Sequence, residues 1–206
     1  MTDDEGLRER KKRETRATLS QAAIRLCVQR GWDDVSLADI AEAANVSERT
    51  FRNYFTSKAE AIAATHLERA LRTADELRAR PAHEPLWDAV IAAVTAQFDG
   101  TTDIEPAAWP SGVRRVFAEP AVRGEILKAN AAAQEALAVA IAERTGLDLE
   151  RDVYPRLLAS VVGAASGAAV GHWFRGGPRD SVVPHIHSAL DQVRAGLPLP
   201  LPEADR

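Results

Sequence analysis

Cysteine occurs once in this 206-residue chain, at Cys27. One thiol cannot close an internal disulfide and is a poor basis for a thiolate metal site. Cys27 sits on an apolar helical face with nothing basic close in sequence to activate it, so it reads as a small buried hydrophobe and not as a redox sensor. Alternating runs of β-branched residues are lacking. Pro and Gly fall between periodic segments instead of inside them. Together these features argue against a sheet and for an all-α chain. There is no Gly-rich phosphate loop, no metal-ligand spacing and no supported nucleophile–base set, so the chain reads as neither an enzyme nor a holder of cofactor or metal. His185 and His187 are two apart and share no helix face, which makes them a weak metal pair. The opening MTDDEGLRERKKRETR has no apolar stretch of the kind a secretory signal needs, and a cytoplasmic location is expected.

One long uncharged run exists, the 18 residues LLASVVGAASGAAVGHWF at 157–174. That length borders on a membrane span, but Ala, Gly and Ser dominate it and no stop-transfer pattern flanks it, so no membrane partner is expected. The pattern Gly163, Gly167, Gly171 instead suggests a close backbone-to-backbone approach of two helices.

The charges present are unevenly distributed. The net charge of −4 combines −3 over residues 1–6, +4 over residues 7–58 and −5 over residues 59–206. A basic end on an acidic body suits a protein that touches a polyanion with one end only. Residues 7–30 predict a first helix, with Leu19, Ala22, Ala23, Leu26 and Cys27 on one stripe and Gly31 ending it. The cluster Arg8, Arg10, Lys11, Lys12, Arg13 and Arg16 at its front is either a solvated face or a phosphate contact.

The most specific stretch is SLADIAEAANVSERTFRNYFTSK, Ser36 to Lys58. Ser36 and Asp39 form a capping-box-like start, and Leu37, Ile40, Ala41 and Ala44 make an inward face. Asn45 stands where a turn needs positive φ, Val46 fills the angle, and Ser47 caps the next helix. Phe51 and Phe55 anchor that helix. At about 100° per residue, Arg49, Arg52 and Asn53 then face outward, with Thr50 and Tyr54 at the edges. Arg can fork onto guanine and Asn onto adenine. Ser57-Lys58-Ala59-Glu60 is a further capping box, placing Lys58 where a phosphate would be favoured. This is the pattern of a helix-turn-helix whose second helix enters the major groove.

Those residues carry a family resemblance. QAAIRLCVQRGWDDVSL (Gln21–Leu37), LADIAEAANVS (Leu37–Ser47) and VSERTFRNYFTSK (Val46–Lys58) resemble the DNA-binding domain of the TetR family of bacterial repressors. The turn glycine common in that family is Asn45 here, and the aromatic often found after the Leu/Phe of the recognition helix is Arg52. The second departure shifts base preference. The resemblance implies DNA-facing roles for Ser36, Arg49, Thr50, Arg52, Asn53, Tyr54 and Lys58, and the cap Ser47 completes the expected set. It also implies that the long helix from Ala59 to about Arg80 relays ligand binding by tilting.

Beyond Lys58 the periodicity predicts helices at 85–98, at 111–118, from about 121 to Thr145, over the uncharged run, and at 181–195, about nine in all. The segment Asp99–Pro110 reads as a mobile connection, Asp152 as the cap of the penultimate helix, and Leu197–Arg206 as an extended tail. Val182, Ile186, Ala189 and Leu190 on the last helix can cover part of the uncharged run, and a second copy can cover the rest. That reading expects a two-fold dimer with Gly163, Gly167, Gly171, Ile186 and Leu190 at the interface. A ligand cavity would need aromatic and polar lining, for which His66, Trp87, Trp109, Arg114, Phe117, Asn130, Gln134 and Trp173 are the candidates. RRVFAEPAVRGEILKAN (Arg114–Asn130), ERTGLD (Glu143–Asp148) and AVGHWFRGG (Ala169–Gly177) resemble the ligand domains of mycofactocin-locus-type regulators, which implies an acyl-CoA-like or other lipophilic effector.

The expectation is an all-α protein with a DNA-binding domain over residues 1–58, a helical ligand-binding and dimerisation domain over 59–197, and a tail over 198–206. It would be a homodimeric regulator of a palindromic double-stranded DNA site, acting as a repressor released by a small effector. Two alternatives are a ligand-binding protein or enzyme with a helical cavity, and a non-specific DNA-coating protein.

Overall fold

The structure, a computed structural model, describes residues 2–98, 109–176 and 181–199. Among the described residues there are nine α-helices and no strand. They are α1 Thr2–Arg30, α2 Leu37–Ala43, α3 Glu48–Tyr54, α4 Lys58–Ala79, α5 Leu86–Ala96, α6 Trp109–Ala118, α7 Pro120–Thr145, α8 Tyr154–Gly176 and α9 Val183–Arg194. The expected mobile connection falls mostly on 99–108, and most of the expected tail falls on 200–206. Both lie outside the described residues.

Helix ends follow the local chemistry. Gly31 at φ 104° closes α1, donating its amide to Cys27 O at 3.0 Å. Gly146 at φ 72° closes α7, and Gly196 at φ 83° follows α9. Such backbone is costly for a residue with a Cβ. Asp152 does not cap α8. Its carboxylate turns back to accept from Asp148 N at 2.8 Å.

The chain forms two compact units, Met1–Leu71 with Glu105–Ala133, and Arg72–Ile104 with Gln134–Arg206. Each has its own apolar core. In the first, Leu19, Ala23, Ile40, Phe51, Phe55, Ile62 and Val122 are buried together. Here α1 packs on α2 and α6, and α2 on α3. Gly112 of α6 makes the closest approach. A Cβ there would come within 2.6 Å of Val28 Cγ1 and 3.3 Å of the Val28 carbonyl. Gly112→Ala is therefore expected to lower the stability of this unit by about 1–3 kcal/mol through overpacking, despite its better helix propensity. A thermal melt that rises in the variant would refute the close approach.

In the second unit Leu77, Val90, Ile141, Val162, Ile186 and Leu190 form the centre, with α9 packed on α8 and α5. Arg144 stabilises the connection between α4 and α5, donating to the carbonyls of Arg80 at 3.2 Å, Pro81 at 2.6 Å and Glu84 at 2.9 Å. Those carbonyls lie beyond the end of α4, where no helical amide can reach them.

Candidate nucleic-acid interface

The geometry of α2, the turn and α3 rests on two serine caps. Ser36 is extended at φ −91°, ψ 167°, and its hydroxyl accepts from Asp39 N at 3.1 Å. The Asp39 carboxylate returns to accept from Ser36 N at 2.8 Å and from its hydroxyl, which completes the capping box. These Ser36 hydrogen bonds, with Arg30 3.6 Å away, hold the Asp39 carboxyl below its ordinary value. A depressed carboxylate stabilises the fold above its unfolded pKa, and that contribution is lost as pH falls through the lowered value. Asp39→Asn should thus melt below wild type at pH 7, with the gap closing as the pH drops under the ordinary carboxylate range. A gap that does not narrow at all on acidification would show that the charge is not the cause.

Asn45 takes the left-handed turn position at φ 55°, and Val46 N donates to Ala41 O at 2.9 Å. Ser47 then caps α3, accepting from Thr50 N at 3.1 Å and lying 2.8 Å from the Thr50 hydroxyl. Phe51 and Phe55 are fully buried with ring centroids 5.6 Å apart. They fix which face of α3 looks out.

That outer face carries Arg49, Arg52 and Asn53, all exposed, with Thr50 and Tyr54 half-buried at its edges. The Arg52 guanidinium holds Glu48 Oε1 through its Nε at 3.0 Å and a terminal nitrogen at 2.6 Å. Both side chains are solvated, so releasing Arg52 to another partner costs at most about 1 kcal/mol. Ser36, Ser47 and Thr50 spend their hydroxyls on caps, and what they can still offer a ligand is limited.

The Lys58 ammonium donates to Val35 O at 2.8 Å and to Trp32 O, with the Trp32 ring centroid 4.2 Å away. The adjoining cap differs from the expected one. Glu60 N donates to Ser57 Oγ at 3.1 Å, but the Glu60 carboxylate accepts from the amide and hydroxyl of Thr56, both at 2.7 Å.

Arg16, one of the basic cluster on α1, plays a part the sequence pattern did not disclose. It donates to Tyr54 O at the end of α3 at 3.1 Å and covers the Phe55 ring at 4.4 Å. It also lies 3.6 Å from Glu68 of α4. One guanidinium thus ties α1, α3 and α4 together, from 38 residues before its carbonyl partner. No short-range pattern reports a pairing at that separation.

The candidate ligand residues divide between the units. In the first, His66 Nε2 and Asn130 Oδ1 are 2.6 Å apart, Phe117 packs on the core, and Arg114 is exposed. In the second, Trp87 and Trp173 pack on the core, and the Gln134 side chain lies against Gly163. The side chain of Trp109 is outside the described residues. Among the described residues no cluster of three or more metal-ligating side chains occurs.

The candidate interface residues also separate. Ile186 and Leu190 are both 0 % exposed, buried in the core of their own chain, which corrects their placement at a subunit contact. The apolar face of α9 is satisfied internally. On α8, Gly163 backs onto Gln134, where a Cβ would lie 2.9 Å from Nε2. Gly167 is exposed, and a Cβ there meets nothing within 4 Å. Leu157, Ala164 and Ala168 are exposed on the same helix. By length and composition alone α8 could cross a membrane, and only 22 % of its most apolar window is buried within the chain.

A capped two-helix motif with basic and amide side chains on its outer face, joined to a helical body, defines a helix-turn-helix DNA-binding regulator. Residues 19–65 match the family described as bacterial regulatory proteins, tetR family, and residues 84–198 match the MftR C-terminal domain. The chain belongs to the TetR family of bacterial transcriptional regulators. It is 32 % identical over 202 residues to the HTH-type transcriptional regulator TcmR of Streptomyces glaucescens, covering 93 % of this chain and 88 % of the relative. It is 30 % identical over 183 residues to a protein of Mycobacterium tuberculosis whose name assigns it to regulation of mycofactocin biosynthesis, MftR, covering 87 % and 89 %. Two solved structures share the fold. The fatty acid degradation regulator FadR from Bacillus halodurans matches with TM-score 0.57 at 16 % identity, covering 89 % of this chain and 96 % of that one. FadR from Thermus thermophilus, solved in complex with lauroyl-CoA, matches with TM-score 0.54 at 20 % identity, covering 93 % and 99 %. These relatives are regulators, not enzymes.

Proposed function

We propose that the chain is a dimeric repressor that reads a palindromic operator with α3 and is released by a lipophilic, acyl-CoA-like effector. The observation that carries this reading is the α3 surface. Phe51 is buried, while Arg49 and Asn53 are exposed and, among the described residues, untied by a hydrogen bond or ion pair. Those two side chains have the donor and acceptor geometry for guanine and adenine edges. Arg52 joins them once it leaves Glu48. Two copies of α3 about 34–36 Å apart would enter successive major grooves.

In this reading residues 1–58 bind DNA and 59–197 bind effector and partner. The exposed Gly167 face of α8 supports a second copy as the cover. A helix that is apolar all round must be covered, and Gly and Ala permit a close helix pair. The lauroyl-CoA held by the Thermus FadR supports the effector class. An effector that prefers the dimer with the wrong α3 spacing empties the operator when its affinities for the two states differ by about 10⁴-fold.

The test is enrichment of binding sites from random duplexes, followed by addition of acyl-CoAs of graded chain length to the enriched complex. A palindromic consensus released by one chain-length class is the expected result. Uniform coating of all duplexes at physiological salt would replace this reading with non-specific binding. Ligand binding with no enriched sequence would replace it with a carrier.

A further inference from the structure

Among the described side chains of α1, Leu19 is the first to be buried, yet the helix begins at Thr2. The stretch Arg8–Arg16 holds six cations and two carboxylates, and it lies ahead of residues 19–65, the part matched to the TetR family. Arg10, Lys11, Lys12 and Arg13 are exposed. Arg10 lies 3.7 Å from Glu14, while the side chains of Lys12 and Arg13 have no hydrogen bond or ion pair among the described residues. Arg16 fixes where this stretch stands. Its guanidinium donates to Tyr54 O at the C-terminal end of α3 and covers the Phe55 ring at 4.4 Å. Lys12 and Arg13, four and three residues earlier, share that face of α1 one turn further out, about 5–6 Å along the axis. Like charges at these spacings from Arg16 oppose each other on a helix, and a neighbouring polyanion turns that repulsion into attraction. The acids Asp3, Asp4 and Glu5 stand at least seven residues before Lys12, about 10 Å along a helix, which exceeds the screening length at physiological salt.

We propose that Lys12 and Arg13 form a second DNA contact, a sequence-independent hold on the phosphates beside the groove that α3 enters. A helix seated in the major groove is flanked by the phosphates of the strands that wall it. The Arg16 tie sets the root of the basic face at the end of α3, so the two unpaired cations stand next to the reading helix and not at a distance from it. Both are solvated and unspent, so they reach a phosphate without giving up a partner inside the protein. The contact adds affinity and leaves the choice of bases to Arg49 and Asn53. The inference rests on α3 being the recognition helix.

The experiment compares three full-length proteins: wild type, Lys12→Gln with Arg13→Gln, and Arg10→Gln with Lys11→Gln. The last pair removes the same charge from the same helix, but about 120–140° round from Arg16. Two probes are used, a duplex enriched from random DNA by the wild-type protein and a shuffled duplex of the same length and composition. Dissociation constants are measured over a range of salt, and all three proteins should melt alike because the replaced side chains are exposed. The expected result for Lys12→Gln with Arg13→Gln is a loss of about tenfold per protomer on both duplexes, with a salt slope shallower by about 1.8 per protomer. The Arg10→Gln with Lys11→Gln protein should keep the wild-type slope. An equal loss in both variants would trace the effect to net charge and overturn the contact. Unchanged affinity and slope in Lys12→Gln with Arg13→Gln would leave a solvated face and overturn it too. A loss confined to the enriched duplex would make the contact one with bases and overturn its sequence independence. A wild-type chain that enriches no sequence refutes the recognition-helix reading itself, a failure separable from the others because it appears before any variant is made.

Discussion

Arg49→Ala and Asn53→Ala are each expected to weaken binding to the enriched duplex by about 5- to 150-fold per half-site, while affinity for shuffled DNA and the melting temperature stay near wild type. The magnitude follows from a bidentate base contact, worth about 1–3 kcal/mol of discrimination. Its restriction to one duplex follows because phosphate attraction, the source of most sequence-independent affinity, comes from other groups. Stability is spared because both side chains are exposed and, among the described residues, hold nothing else in place. Arg52→Ala should cost less, since Arg52 must first give up Glu48 and its net gain on DNA is smaller by that exchange. Footprints unchanged in both Arg49→Ala and Asn53→Ala would show that the outer face of α3 is not the reading surface.

What made this face legible in advance is that every determinant lies within about four residues of the side chain it orients. Ser36 and Ser47 cap the helices that follow them, Asn45 adopts the left-handed turn, and Phe51 and Phe55 are buried as their spacing requires. The Lys58 contact was not legible for the opposite reason. Its partners lie 23 and 26 residues earlier, in a connection whose shape depends on the packing of α1 against α2. The first-turn position of Lys58 points locally to phosphate binding, and its contacts to the Trp32 and Val35 carbonyls involve residues that no local pattern reaches.

Burial posed the same difficulty. The periodicity of α9 marks Ile186 and Leu190 as apolar and co-facial, but a stripe does not say whether its cover comes from the same chain. Here α8 and α5 supply it. The three glycines of α8 look equivalent in sequence, yet Gly163 accommodates Gln134 from α7 and Gly167 has open space above it. Equal spacing on one helix cannot distinguish them, because the difference lies in what α7 places opposite each.

That difference makes Gly167→Leu the decisive substitution for the proposed dimer. Within one chain the change is favourable. A Cβ at Gly167 meets nothing within 4 Å, and Leu is the better helix former by about 0.8–1 kcal/mol, so the protomer should melt no lower than wild type. In a dimer built by close approach of two α8 helices, the same side chain forces the backbones apart, and the two-fold axis makes it appear twice. Gly167→Leu is therefore expected to sediment as a monomer at concentrations where wild type is a dimer. Binding to a two-half-site duplex should fall by about a hundredfold or more, because two half-sites no longer act at the high effective concentration that linkage provides. Affinity for a single half-site should hold, since α3 is untouched. A Gly167→Leu protein that remains a dimer with full operator affinity would place the subunit contact elsewhere, and the exposed face of α8 would then need a different cover.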